Sequence, residues 1–211
     1  GNLYQATTDP NVVDPVVFYD NEGKLWMIYG SYSGGIFVKE MDAETGMPLE
    51  SGYGEKLLGG NHLRIEAPYV IYYYMFLSFG GLDSDGGYNI RVCRSENPSG
   101  PYVDSMGQDM KDCKGPAGSA FSDATAELYG TKLMGGYKFT WKEGEEGEDR
   151  KGYLSPGHNS CLYQEETGKY FIIYHTRFEN SGETHEVRVH QMFFNEEGWP
   201  VIAPYRYTEE S

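Results

Sequence analysis

Short apolar and aromatic runs, rather than long amphipathic stretches, dominate the pattern of hydrophobic positions along this chain. Clear examples are VVFY from Val16, LWMIYG from Leu25, YYYMFLSF from Tyr72 and KYFIIYH from Lys169. β-Branched and aromatic residues fit the pleated surface of a sheet, and Gly, Asn, Asp or Pro flank most of these runs, as expected for turns. We find no amphipathic pattern that predicts a helix longer than about three turns. The chain is therefore predicted to be all-β.

Three segments of the chain follow one plan. Each opens with a polar residue and continues with a short apolar strand, an aromatic strand, a Gly- or Ser-containing loop and a third strand. Repeats of roughly 40–50 residues with three or four strands are typical of β-propeller blades, because one small sheet cannot bury both of its faces alone. We expect one partial propeller domain over 1–211, with blades at about 12–52, 66–105 and 158–207 and a connecting insertion at about 106–157.

The leading residue of each repeat is ionisable: Asp14, Glu66 and His158. The innermost strand of a propeller blade lines a central channel, so residues at the heads of these strands point towards the axis. We therefore expect the two carboxylates and the imidazole to converge on one small volume. The alternative for Asp14 and Glu66 is that they are turn residues at the ends of strands.

The second repeat is shorter than the others. In the second repeat the interval from Glu66 to Leu77 is 11 residues. The matching intervals are 15 residues in the first repeat, which ends at Tyr29, and 16 in the third, which ends at Tyr174. The difference falls near Tyr72 and Tyr73, where the other repeats carry the turns DNEGK and EETGK. Because antiparallel strands need a turn between them, we expect that the residues of a loop are missing from the sequence at this point.

Composition restricts the partners of the protein. The net charge is −15, so nucleic acid and anionic membranes would be repelled, whereas a neutral polysaccharide is a compatible partner. Three cysteines, Cys93, Cys113 and Cys161, are too sparse for a disulfide framework, and no Cys/His spacing predicts a zinc site. No apolar run reaches the ~18 residues of a membrane-spanning helix. The acidic run KEGEEGEDRK at 142–151 is predicted to be a solvated loop.

Four motifs, taken together in their order along the chain, make the interpretation of fold and function more specific. They are NVVDP at 11–15, GGNHLRIEAPYV at 59–70, SFGGLDSDGGYNIRV at 78–92 and SPGHNS at 155–160. In residues and in order they resemble glycoside hydrolase family 43, and in particular its endo-α-1,5-L-arabinanase-like members. The resemblance extends over roughly residues 10–207.

The resemblance implies a five-bladed β-propeller, of which this chain carries the last three blades. The general base of the family is an aspartate on the first blade, so we expect the base and the first two blades on an N-terminal segment or a second chain. Gly1 is not a natural initiator residue, in keeping with that expectation. Asp9 lies too close to Asp14 to belong to a separate blade, and we do not assign it as the base.

The resemblance also implies catalytic roles. Glu66 matches the general acid, and Asp14 matches the carboxylate that tunes the pKa of the acid and orients it. Inverting hydrolysis pairs such an acid with a base about 6.5–9.5 Å away, which activates water. Ser31, in YGS, matches a position that faces the substrate, although it is equally well explained as a turn serine. His62 precedes the acid by four residues and either caps a loop or lines a subsite.

His158 resembles the family histidine that helps to hold an ion, usually calcium, in the channel. Calcium prefers oxygen ligands, so one imidazole among waters would be an unusual shell. The alternative is a core histidine bonded to the backbone. In the same repeat, His175 and Arg177 are expected to brace the last blade rather than to contact sugar hydroxyls. A further set on one strand is expected to form a polar ladder on one face: His185, Arg188 and His190.

The predicted function is hydrolysis of α-1,5-linked L-arabinan by an inverting mechanism. An exo-acting arabinofuranosidase or β-xylosidase of the same family is the nearest alternative, and a non-catalytic carbohydrate-binding propeller or an inactive fragment is another. A protein-interaction propeller fits less well, because the chain carries no WD or kelch signature. The polymer is too large to enter a cell, so an extracellular or cell-surface location is expected.

Overall fold

A computed structural model of the chain describes residues 3–119, 121–137 and 152–208. Within these residues the chain forms twelve β-strands and one short 3₁₀ helix, so the prediction of an all-β protein is confirmed. The strands make three four-stranded sheets, and in each sheet the spatial order follows the order in the chain. The described residues form no helix with the length and apolar character needed to cross a membrane.

The first sheet contains β1 (Val16–Tyr19), β2 (Leu25–Tyr29), β3 (Ile36–Met41) and β4 (Glu55–Leu58), all paired antiparallel. The turn between β1 and β2 forms because the Asp20 carboxylate accepts hydrogen bonds from the Glu22 and Lys24 amides, each 2.9 Å long. The fourth strand lies beyond the predicted end of this repeat at residue 52.

The second sheet contains β5 (Ile65–Ile71), β6 (Tyr74–Phe79), β7 (Asn89–Arg94) and β8 (Thr131–Met134). The 3₁₀ helix Met110–Asp112 lies between β7 and β8. The last strand therefore comes from the segment that was predicted to be an insertion. A long loop separates it from β7, and its four-residue sequence TKLM contains no aromatic residue, so the repeat pattern did not reveal it.

The connection between β5 and β6 is a two-residue turn. It consists of Tyr72 and Tyr73, and Tyr72 has φ of +52°, the left-handed conformation that tight hairpins require. The expected longer loop is therefore not needed to reverse the chain. The turn does, however, place a tyrosine where glycine, asparagine or aspartate is usually found.

The third sheet contains β9 (Leu154–Gln164), β10 (Lys169–Arg177), β11 (His185–Phe194) and β12 (Pro200–Ile202), paired antiparallel. The acidic run 142–151 lies outside the described residues. The predicted one-faced ladder on β11 is wrong, because the three-residue step from His185 to Arg188 places them on opposite faces. His185 packs on His175, whereas buried His190 bonds to the Ala203 carbonyl oxygen at 2.8 Å.

The described residues divide into two compact units. One comprises the described chain up to Ser78 together with Val92–Thr131, and the other comprises Phe79–Arg91 and the described chain from Lys132 onwards. The core of the first unit is mainly aliphatic, with fully buried side chains such as Ile28, Ile36, Leu58, Leu63 and Ile65. The core of the second is aromatic, built on Tyr88, Tyr153, Tyr174 and Phe178. The three cysteines are buried and form no disulfide, as predicted.

Candidate active site

Glu66 is the second residue of β5 and is half-buried. The Ser31 hydroxyl, itself buried in the loop after β2, donates a 2.7 Å hydrogen bond to Glu66 Oε2. Two backbone hydrogen bonds place that loop: the Gly30 amide donates to the Val13 carbonyl at 3.0 Å, and the Tyr32 amide donates to the Ile65 carbonyl at 2.9 Å. Together they hold the backbone on both sides of Ser31. Ser31 thus contacts the proposed acid directly rather than serving only as a turn residue.

Asp14 lies just before β1 and contacts the backbone next to the acid. Its Oδ2 accepts a 3.1 Å hydrogen bond from the amide of Ala67, the residue that follows Glu66. The predicted proximity of the two carboxyl-bearing segments is therefore present within the first unit. Asp14 is also half-buried, so its charge lies in a region of reduced solvent screening.

Unusual backbone conformations concentrate around these residues. Left-handed φ angles between +36° and +56° occur at Asp14, Tyr32, Ser33, Asn61, His62 and Ala67, none of which is a glycine. Such conformations are disfavoured for residues with a Cβ atom, and they persist where the surrounding structure holds them for a functional reason. Their clustering in three loops and one strand around Glu66 identifies this part of the first unit as the candidate site.

His62 lies in the loop that leads into β5. Its amide donates a 3.0 Å hydrogen bond to the Ser33 carbonyl, which ties the two loops of the site together. Its ring packs on Phe121, with ring centroids 5.6 Å apart. Two residues before the acid, the Arg64 guanidinium pairs with Asp123, and Arg64 Nε lies 2.8 Å from Asp123 Oδ2.

Sequence reasoning missed Phe121 and Asp123. Both belong to the segment that was predicted to be a connecting insertion, and nothing in FSD marks a functional motif. Their contacts with His62 and Arg64, in the segment that leads to the acid, are long-range in sequence.

His158 belongs to the second unit, on β9, where it is exposed and has φ of +50°. The glycine before it is required sterically, because a Cβ atom on Gly157 would lie 2.1 Å from Cε1 of the Tyr88 ring. The His158 ring centroid is 6.3 Å from that of His175. Burial, together with the charges of His185, Arg177 and His158, lowers the pKa of His175 to about 4, so His175 is neutral at pH 7.

The donor atoms around His158 provide a test of the calcium prediction. In the described ranges there is no group of three or more His, Cys, Asp or Glu side chains arranged to hold a metal ion. Calcium takes about six to eight oxygen ligands, whereas the ring that lies near His158 is the imidazole of His175. These side chains therefore do not make a calcium site by themselves. His158 can contribute one ligand, and water would have to supply the others.

Arg177 has a bracing role in the second unit. Its Nε lies 2.9 Å from Glu183 Oε2, and the same carboxylate accepts hydrogen bonds from the Ser84 hydroxyl at 2.7 Å and the Ser84 amide at 3.0 Å. These hydrogen bonds, chiefly that of the Ser84 hydroxyl, lower the pKa of Glu183. The nearly buried guanidinium thus links the loop after β10 to the loop between β6 and β7, in agreement with the bracing interpretation.

Comparison with known proteins supports the motifs. The profile of glycosyl hydrolases family 43 matches residues 1–132. The chain is 58% identical over 218 residues to extracellular endo-alpha-(1->5)-L-arabinanase 2 of Bacillus subtilis (strain 168), covering 100% of this chain and 46% of the relative. It is 51% identical over 219 residues to the extracellular endo-alpha-(1->5)-L-arabinanase of Thermotoga petrophila, covering 100% of this chain and 45% of the relative.

Solved structures agree with these similarities. The family 43 glycoside hydrolase YxiA of Bacillus licheniformis superposes with a TM-score of 0.90 at 56% identity, over 99% of this chain and 47% of that chain. The endo-1,5-alpha-L-arabinanase of Thermotoga petrophila RKU-1 superposes with a TM-score of 0.88 at 51% identity, over 99% and 46%. The chain thus spans about half the length of the relatives it matches.

Proposed function

Since the chain belongs to glycosyl hydrolases family 43, we propose that it carries the acid side of an inverting active site that hydrolyses α-1,5-linked L-arabinan. One arrangement carries the proposal. Glu66 accepts a hydrogen bond from the Ser31 hydroxyl, and Asp14 accepts one from the amide of the next residue, Ala67. The names of the Bacillus subtilis and Thermotoga petrophila relatives support arabinan as the polymer.

In this proposal Glu66 protonates the leaving glycosidic oxygen. The Ser31 hydrogen bond holds Oε2 and thereby limits the directions in which the carboxyl group can point. Asp14 orients the same segment through the hydrogen bond that it accepts from the Ala67 amide. The second carboxylate, which activates water, is not assigned to a residue of this chain. The resemblance implies an aspartate on the first blade of the propeller.

The three sheets are proposed to be the last three blades of a five-bladed propeller. Each has four strands in chain order, as expected for blades. An N-terminal segment or a second chain would supply the remaining blades and the base. An extracellular location is also proposed, since two of the relatives are named extracellular and a polysaccharide is too large to enter a cell.

Product analysis tests the proposed function. The complete polypeptide that contains this chain should be incubated with linear arabinan, branched arabinan and xylan, and the products separated by chromatography. We expect mixed arabino-oligosaccharides from linear arabinan and little release from xylan. Arabinose as the sole product would indicate exo action, and xylose release would indicate a β-xylosidase. Retention on arabinan gels without hydrolysis would support the non-catalytic alternative and contradict the proposal.

We also propose that His158 contributes one ligand to a calcium ion whose other ligands are mainly water. Bound calcium would be measured by elemental analysis after dialysis, and the thermal midpoint recorded with and without added calcium. We expect the wild type to hold about one ion per chain and to show a higher thermal midpoint with added calcium. We expect His158→Ala to lose both the ion and the rise in midpoint. His185→Ala, an exposed histidine of the same unit, is the matched control. Equal calcium contents in wild type and His158→Ala would contradict the assignment.

A further inference from the structure

Three ring-bearing residues form a cluster beside the proposed acid. The Phe121 ring lies between those of His62 and Tyr32, with centroid separations of 5.6 Å and 6.2 Å. Phe121 nevertheless remains 55% exposed. The cluster therefore presents an aromatic surface to solvent instead of burying it in the core.

The cluster is tied to the acid by the backbone on both sides. Tyr32 directly follows Ser31, whose hydroxyl binds Glu66, and the Tyr32 amide donates to the Ile65 carbonyl at 2.9 Å. His62 lies four residues before Glu66, and its amide binds the Ser33 carbonyl. The two rings beneath Phe121 thus come from the same two segments that position the acid.

All three members of the cluster have left-handed backbone conformations. Their φ angles are +49° for Tyr32, +56° for His62 and +58° for Phe121. This region is unfavourable for bulky residues, and glycine or asparagine would adopt it at lower cost. Three aromatic rings in contact, each on a disfavoured backbone, indicate that the direction of the rings matters more than local stability.

An ion pair fixes the segment that carries Phe121. Arg64 donates through Nε and Nη2 to Oδ2 of Asp123, two residues after Phe121, and both side chains are roughly two-thirds buried or more. The start of the segment is held by the Asn61 side-chain amide, which donates to the Gly115 carbonyl at 2.9 Å. The Thr125 hydroxyl, which donates to the Lys114 carbonyl at 2.7 Å, closes the loop. Phe121 is therefore held at both ends of its loop.

We infer that Phe121 is a stacking platform for a sugar ring of the polysaccharide next to the cleaved linkage, and that the Arg64–Asp123 pair positions it. The inference rests on the proposed function. Sugar rings expose apolar C–H faces that pack on aromatic rings. A neutral carbohydrate is also compatible with the net charge of −15. A platform on a clamped loop contributes to binding in the ground state and the transition state alike, and so acts on KM.

The test compares Phe121→Ala, Phe121→Trp and the control Phe193→Ala, an exposed phenylalanine on β11 that is 51% accessible. KM and kcat are measured in the full-length protein on arabino-oligosaccharides of increasing length. We expect Phe121→Ala to raise KM about tenfold on the longer substrates with a much smaller change in kcat, and Phe121→Trp to restore binding. Phe193→Ala should behave as wild type. An unchanged KM in Phe121→Ala would overturn the inference.

The role of the Arg64–Asp123 pair is tested by replacing Asp123, the partner that is farther from Glu66 in the sequence. Asp123→Asn removes the charge that holds the loop, and we expect it to raise KM to a similar extent, with partial recovery in Asp123→Glu. If the pair had a purely structural role, Asp123→Asn would lower the thermal midpoint but would not raise KM selectively over its effect on kcat.

The outcomes also separate this inference from the proposed function. If the wild type does not hydrolyse linear arabinan, the proposed function fails. The platform is then judged by gel retention on arabinan and xylan. Weaker retention of Phe121→Ala than of Phe193→Ala would support a carbohydrate platform, and equal retention would overturn it.

Discussion

Replacing Glu66 with glutamine should lower kcat on linear arabinan by roughly 10³–10⁴-fold, the upper part of the range that general acid catalysis supplies. Glutamine has the same shape, and its carbonyl oxygen can accept the 2.7 Å hydrogen bond from the Ser31 hydroxyl, so the fold and the local geometry should be retained. It cannot deliver a proton to the leaving oxygen. Circular dichroism and the thermal midpoint serve as controls for folding.

The leaving group makes the Glu66 experiment specific. An aryl arabinofuranoside with a strongly acidic phenol leaves without protonation, so Glu66→Gln should lose far less activity on it than on arabinan. Ser31→Ala is the matched control, because it removes the hydrogen bond to Oε2 and keeps the carboxyl group. We expect Ser31→Ala to lower kcat about tenfold on arabinan and much less on the aryl substrate, because Ser31 acts through the acid. Near-normal turnover of arabinan by Glu66→Gln, or an equal loss on both substrates, would remove Glu66 from the acid role.

Replacing Asp14 with asparagine should lower kcat by about a hundredfold while leaving the fold intact. The asparagine carbonyl oxygen can still accept the 3.1 Å hydrogen bond from the Ala67 amide, so the substitution removes the charge and keeps the contact. The fall in kcat therefore reports what the charge contributes apart from the hydrogen bond. kcat on linear arabinan, with the thermal midpoint as the folding control, is the measurement that checks this.

Asp14→Ala distinguishes the two parts of the role. It removes the charge and also leaves the Ala67 amide without this acceptor, so we expect a larger loss of kcat and a lower thermal midpoint than in Asp14→Asn. A wild-type kcat in both Asp14→Asn and Asp14→Ala would show that Asp14 has no part in positioning the acid.

Local patterns were sufficient for much of the fold. Strand-forming runs correctly indicated the hairpins β1–β2 and β9–β10, since alternating apolar residues and turn residues act over a few positions. The same reasoning missed β8, a short strand separated from its sheet partners by a long loop. Its expectation that a loop was skipped near Tyr72 stays a prediction, since in this sequence two residues form the turn. Finally, it assigned His185 and His190 to one face of β11, which an odd separation in sequence does not allow.

The sequence by itself determined the all-β class, the strand-and-turn framework and the motif that contains Glu66, because these depend on neighbouring residues. Only the tertiary structure decided which side chains meet at the acid. Ser31 reaches Glu66 across 35 residues, Asp14 reaches the Ala67 amide across 53, and Arg64 reaches Asp123 across 59. Contacts at such separations depend on how sheets and loops pack, and no local preference encodes them. Phe121 therefore became visible beside the acid only in the folded protein.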